Sequence, residues 1–199
     1  MPTAEIWDPT AEVPRGYAIC DDEVHVWLTR IGWPSEYIHA LTELVSPEER
    51  QKADRFHFQI DRERHVIGRA LVRILLGHLL DRRPDSLHFH HNDFGKPGLL
   101  GGANERRLQF NVSHSGDLIL IALAANRAIG VDVEHVRGDL EVDGIAARFF
   151  SAREQADLAM LDEGPRRDAF FRCWTRKEAF IKARGEGLSL PLDQFDVSL

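Results

Sequence analysis

Eight consecutive apolar residues, Leu118 to Ala125, constrain this chain more than any other segment. A run that short falls far below the ~20 residues needed to cross a bilayer, so the rest of the chain must cover it, and it reads as a buried strand. Asn126-Arg127 follows as a turn, and Ala128 to His135 forms a second strand, which together predict a hairpin. Side chains alternate along a strand, so Val131 and Val133 enter the core while Asp132 and Glu134 project together from the other face.

The chain has 199 residues, 43% of them hydrophobic and 29% charged, enough to bury one sizeable core or two small ones without staples. The N-terminus to about Arg15 is polar, proline-rich and expected to be partly loose, and Glu23 to Leu28 alternates as a strand. Ser46-Pro47-Glu48-Glu49 is a capping box that starts a helix. A second helix is predicted over Asp61–Leu80, its apolar stripe formed by Val66, Ile67, Ala70, Leu71, Ile74, Leu75 and His78. Arg62, Arg69 and Arg73 fall opposite that stripe, whereas Arg64 lies at its margin and is the arginine expected to reach inward.

Leu87 to His91 alternates again, and Asn92 to Gly102 is expected to be a loop in which Gly95 and Pro97 present Lys96 in a fixed direction. Phe110-Asn-Val-Ser-His-Ser-Gly116 clusters Ser, His and Gly, whose exposed backbone amides can receive a phosphate. Ser151-Ala-Arg-Glu154 is a second capping box, and a helix is expected from about Pro165 to Gly185. Gln194 to Ser198 looks like a strand cut short. Cys20 and Cys173 lack metal-ligand spacing and fit a reducing, cytoplasmic compartment. His88 and His90 share a strand face without a third ligand at zinc spacing.

On the later helix Trp174, Glu178 and Lys182 share one face at i, i+4 and i+8. Alone, Glu178 and Lys182 read as a surface ion pair; with Asp132 and Glu134 they offer a third carboxylate and a cation for phosphate charge. Magnesium takes oxygen ligands, commonly one or two carboxylates with waters and phosphate oxygens, so such a cluster suits a phosphate-bearing substrate. The net charge of −7 and the lack of an aromatic stacking platform argue against a nucleic-acid-binding module, even though Arg50 to Arg73 forms a basic island suited to a polyanion or an acidic partner.

Phe94-Gly-Lys-Pro97, Phe110 to Gly116, Ile129-Gly-Val-Asp-Val-Glu134, Arg148-Phe-Phe-Ser151, Trp174-x-x-Lys-Glu-Ala-x-x-Lys182 and Gly187-Leu-Ser-Leu-Pro191 occur in that order. In this series the chain resembles the surfactin-type (Sfp-type) 4′-phosphopantetheinyl transferases from about Glu23 onward. The resemblance implies an α+β fold of two similar subdomains in pseudo-twofold relation, here bounded as 1–105 and 106–199, with coenzyme A and magnesium between them. It implies Asp132, Glu134 and Glu178 as metal ligands, and Glu178 and Lys182 as catalytic groups, with Lys182 facing the pyrophosphate. Lys96, Ser113 and His114 are implied at the phosphates, with Arg64 and Lys52 near the nucleotide.

The implied reaction is transfer of phosphopantetheine from coenzyme A to a serine of an acyl or peptidyl carrier protein by a monomer, with no membrane or nucleic-acid partner. A non-catalytic coenzyme A or carrier-binding relative is the alternative, and retention of all three acids favours catalysis. Relatives continue through further strands past Leu199, so the C-terminal strands are expected to be missing here.

Overall fold

The computed structural model describes Val13 and residues 17–199, apart from the side chain of Leu188, so the loose segment expected up to Arg15 lies outside the described residues except for Val13. The alternating Glu23–Leu28 pattern becomes strand β1 (Val24–Arg30), followed by helices α1 (Ser35–Thr42) and α2 (Pro47–Asp54). At the start of α2 the Glu49 amide donates to Ser46 Oγ and the Ser46 amide donates back to Glu49, which satisfies two N-terminal donors that the helix itself cannot.

Helix α3 (Gln59–Leu80) buries Val66, Ile67, Ala70, Leu71 and Leu75 of the expected stripe, whereas Ile74 is half-buried and His78, in the last turn, is exposed. Arg62 is exposed, but Arg73 is only 3% exposed, which corrects the expectation that it faces solvent. Helix α2 packs across the polar face of α3, so Arg73 donates to the Glu49 carboxylate and to the carbonyls of Pro84 and Leu87, and Arg69 also turns toward Glu49. A guanidinium is tolerated there because its donors meet a carboxylate and carbonyls.

The stretch expected to be a loop after β2 (His88–His91) contains β3 (Pro97–Leu100), antiparallel to β2. The turn between them is built by Asn92, whose Oδ1 accepts from the amides of Phe94 and Lys96. A short helix, α4 (Ala103–Arg107), leads into β4 (Leu108–Ser115) and β5 (Leu118–Ala125). The three-stranded sheet has the order β1-β5-β4, antiparallel throughout.

Side chains on both faces of β5 are covered, Ile119, Ile121 and residues 122–125 all being buried, which explains its unbroken apolar composition. Its partners are β4 and the distant β1, with Leu28 opposite Leu120, and not residues 128–135. The predicted hairpin is therefore wrong: residues 128–135 join no backbone ladder. Most of the Phe110–Gly116 segment, expected to expose its amides, lies in the edge strand β4, whose pairing with β5 takes up the amides along one side.

The remaining chain forms α5 (Val142–Phe149), α6 (Ala152–Ala159) and α7 (Glu163–Arg184). Ser151 and Glu154 make the second capping box, and Gly185 ends α7 at φ 72°, a conformation glycine adopts without Cβ strain. Gln194–Ser198 forms no strand, correcting that expectation. It is fastened to α7 instead: Lys177, fully buried, pairs with Glu154 at 2.7 Å and donates to the carbonyls of Leu192 and Phe195, while the Val197 amide donates to Glu154.

Two apolar cores result. One joins β1, α3 and the sheet and extends from Val13 to Ala125; the other packs Phe150, Phe170, Phe171 and Trp174 with α5 to α7. Strands β4 and β5, which follow Glu105, pack in the first core. Among the described residues no helix is long and apolar enough to cross a membrane.

Candidate active site

The two cores meet where residues 129–135 run between β4 and α7. Gly130 makes that approach possible: a Cβ there would stand 1.9 Å from the Ala179 carbonyl oxygen and 2.3 Å from the Ala183 nitrogen. Any side chain would push the segment off α7 and move Asp132 with it. Lys96 fixes the same junction, its Nζ donating to the carbonyls of Ile129 at 3.0 Å and Ala183 at 2.9 Å. Asn92 Nδ2 adds a bond to Gly185 O at 2.7 Å. The rigid turn does present Lys96 in one direction, but onto backbone carbonyls, so the expected phosphate contact serves here as a bridge between the halves. Burial pushes its pKa below the usual lysine value.

Asp132 lies deepest, its side chain 4% exposed. Its Oδ1 accepts from Lys182 Nζ at 2.5 Å and from Ser113 Oγ at 2.7 Å, and Lys182 also reaches Ser113 Oγ at 3.0 Å. Ser113 is therefore buried as a support for Asp132 and Lys182. Lys182 turns to Asp132 and away from the surface pairing with Glu178 that helical spacing suggests. Glu134 is exposed and accepts from Ser115 Oγ at 3.0 Å. Glu178 is half-buried; burial raises its pKa, Lys182 opposes that, and Asp132 and Glu134 add to the rise. Trp174, on the same helix, stacks into the second core against Phe170 and Phe150.

Two cavities flank this group. One, about 300 Å³, lies between the Phe94–Pro97 turn and α7 and is lined by Glu178, Ile181, Lys182 and Gly187. The other, about 270 Å³, lies between α2, α3 and β4 and is lined by Lys52, Phe56, Arg64, His65, Arg69 and His114. Pro97, Asn111 and Val112 line both, so the two are adjacent. Arg64 does reach inward, donating to Asp61 Oδ1 and to the Gly116 carbonyl, both at 2.7 Å. Burial and the neighbouring Arg64 hold the His114 pKa below its ordinary value. Burial, then Arg69 and Lys52, bring His65 down to about 4, so its imidazole is neutral at neutral pH.

Among the described residues, the buried side-chain atoms without a hydrogen-bond partner are Arg64 Nε, His65 Nε2 and Asp132 Oδ2. Buried polar atoms are rarely left unpaired, and these belong to the cavity wall and the acid group beside it. Asp132 Oδ2 lacks a positive partner, and Glu178 is raised in part by the other two acids. A hard cation would relieve both, and carboxylate oxygens are the donor type that magnesium takes. Among the described residues no three His, Cys, Asp or Glu side chains are drawn together closely enough to hold a metal ion. Lys182 supplies the positive charge at Asp132 in this arrangement.

Sequence reasoning missed Gly130, His65, Asn111 and Ser115. Gly130 carried a legible signal, a glycine inside a segment that alternates as a strand does, and Val131 and Val133, expected in the core, are only half-buried and belong to neither core. His65 sits one position after Arg64 on a helix whose pattern says nothing of the cavity beside it.

Family comparisons place the same two halves on one theme. A model for the 4′-phosphopantetheinyl transferase superfamily matches residues 128–199, and one for the N-terminal part of 4′-phosphopantetheinyl transferases matches residues 33–126. The chain is 36% identical over 186 residues to the 4′-phosphopantetheinyl transferase HetI of Nostoc sp., covering 94% of this chain and 78% of that protein. It is 38% identical over 156 residues to the 4′-phosphopantetheinyl transferase Sfp of Bacillus subtilis, covering 78% of this chain and 66% of that protein. A putative 4′-phosphopantetheinyl transferase of Synechocystis sp. is 37% identical over 170 residues, which cover 85% of this chain and 68% of that protein.

Proposed function

The chain belongs to the 4′-phosphopantetheinyl transferase superfamily, and from that premise we propose that it moves the phosphopantetheine arm of coenzyme A onto a serine of an acyl or peptidyl carrier protein. The observation that carries this reading is the set of buried polar atoms without partners, Arg64 Nε, His65 Nε2 and Asp132 Oδ2, beside two adjacent cavities, with Lys182 bound to Asp132. The two cores are read as the family's two subdomains, coenzyme A lying between them with its nucleotide end toward Arg64 and Lys52 and its pyrophosphate toward His114 and Lys182.

The carrier serine hydroxyl attacks the phosphorus that bears pantetheine, and the bond from that phosphorus to the bridging oxygen breaks. Adenosine 3′,5′-bisphosphate leaves with the bonding pair. Glu178 accepts the serine proton, directly or through a water. Lys182, positioned by Asp132, meets the charge that develops on the leaving phosphate. Asp132, Glu134 and Glu178 would hold magnesium, which supplies Lewis-acid stabilisation of the phosphate oxygens. The reaction is assigned to a cytoplasmic monomer, in keeping with the free thiols Cys20 and Cys173.

Arg64 tests the orientation of the ligand. A charge-assisted hydrogen bond to the 3′-phosphate contributes about 1.5–3 kcal/mol. Arg64→Ala is therefore expected to weaken use of coenzyme A by about tenfold or more and to leave use of dephospho-coenzyme A nearly unchanged. Equal losses with the two substrates would place the 3′-phosphate elsewhere and leave Arg64 as a link between Asp61 and Gly116.

A further inference from the structure

Asn111, Ser113 and Ser115 alternate along β4 and so share one face of the strand. Each meets the residue twenty positions later: Asn111 Oδ1 accepts from the Val131 amide at 2.9 Å, Ser113 Oγ from the Val133 amide at 3.4 Å, and Ser115 Oγ from the His135 amide at 3.0 Å. Side chains thus hold residues 131–135 in an extended path that no backbone ladder specifies. The serine rungs also work in the opposite direction. Ser113 Oγ donates to Asp132 Oδ1 and Ser115 Oγ donates to Glu134 Oε2.

A hydroxyl has one proton and two lone pairs, so each serine ties the carboxylate of one residue and the amide of the next. Asp132 has independent restraint from burial and from Lys182. Glu134 is exposed, and among the described residues Ser115 is its hydrogen-bond partner. An exposed glutamate without that bond returns to its solvent rotamers.

We infer that Ser115 is a positioning residue that holds Glu134 on the β4 face where Ser113 holds Asp132, so that both carboxylates are offered to one cation; this rests on the reading of Asp132, Glu134 and Glu178 as a magnesium site. Partners that orient metal-binding carboxylates commonly affect metal affinity by about 10- to 100-fold. Ser115 itself touches neither substrate nor metal.

The test is titration of the full chain with Mn²⁺ alone, without coenzyme A, following free Mn²⁺ by electron paramagnetic resonance and folding by thermal unfolding. Ser115→Ala is expected to weaken Mn²⁺ binding by about tenfold or more, Ser115→Thr to restore it, and Ser115→Ala to add no further loss in a Glu134→Gln background. A purely structural rung would lower the unfolding temperature and leave Mn²⁺ affinity alone. Should Ser115→Ala fail to fold, Ser115→Val against Ser115→Thr makes the same comparison at matched shape. Wild-type Mn²⁺ affinity in Ser115→Ala, or in Ser115→Val, overturns the inference while leaving the metal reading intact. No Mn²⁺ uptake by the wild-type chain overturns the metal reading and the role of Ser115 with it.

Discussion

Asp132→Ala is expected to lower the rate of phosphopantetheine transfer by at least about a hundredfold, a loss typical when one preorganised electrostatic element of a transition state is removed. The size follows from its two connections. Asp132 carries the unpartnered Oδ2 that fits a cation, and its Oδ1 holds Lys182 at 2.5 Å, so one substitution removes a metal ligand and releases the lysine from its mooring. Lys182 is 29% exposed and can turn to solvent when Asp132 is lost, so thermal unfolding should change little. Single-turnover rates across a magnesium titration provide the check. Near-normal rates at ordinary magnesium would remove Asp132 from the metal site.

Glu178→Gln is expected to lower kcat by about a hundredfold or more, the contribution typical of a positioned general base, and to change KM for coenzyme A far less. The amide keeps the shape of the side chain and cannot accept the serine proton. An unchanged single-turnover rate would assign Glu178 to structure.

What the sequence made legible was local. Both capping boxes, the long apolar stripe of α3 and the course of α7 follow from spacing within a few turns of helix, and the structure bears them out. The errors lie where a distant segment decides. Leu120 pairs with Leu28, so the strand expected beside β5 was displaced by one from far earlier in the chain. Arg73 looked solvent-facing on its own helix and is buried because α2 lies across it.

The site divides in the same way. Asp132, Glu178 and Lys182 do meet at one junction, although Lys182 bonds Asp132 and not its helical neighbour Glu178. Asp132 and Glu134 do face the same way, but side-chain rungs from Ser113 and Ser115 orient them, not a strand ladder. Those rungs were illegible because serine on a strand carries no signature of its partner twenty residues away. Lys96 was readable as rigidly presented, but its targets, the carbonyls of Ile129 and Ala183, exist only after the halves dock.

The most direct measurement is the intact mass of a purified acyl or peptidyl carrier protein after incubation with this chain, coenzyme A and magnesium. The account predicts a gain of one phosphopantetheine on the carrier serine, with adenosine 3′,5′-bisphosphate released in equal amount and neither product formed by Asp132→Ala. An unchanged carrier mass across acyl and peptidyl carriers, in samples where the chain binds coenzyme A, would contradict it and leave a binding protein in place of an enzyme.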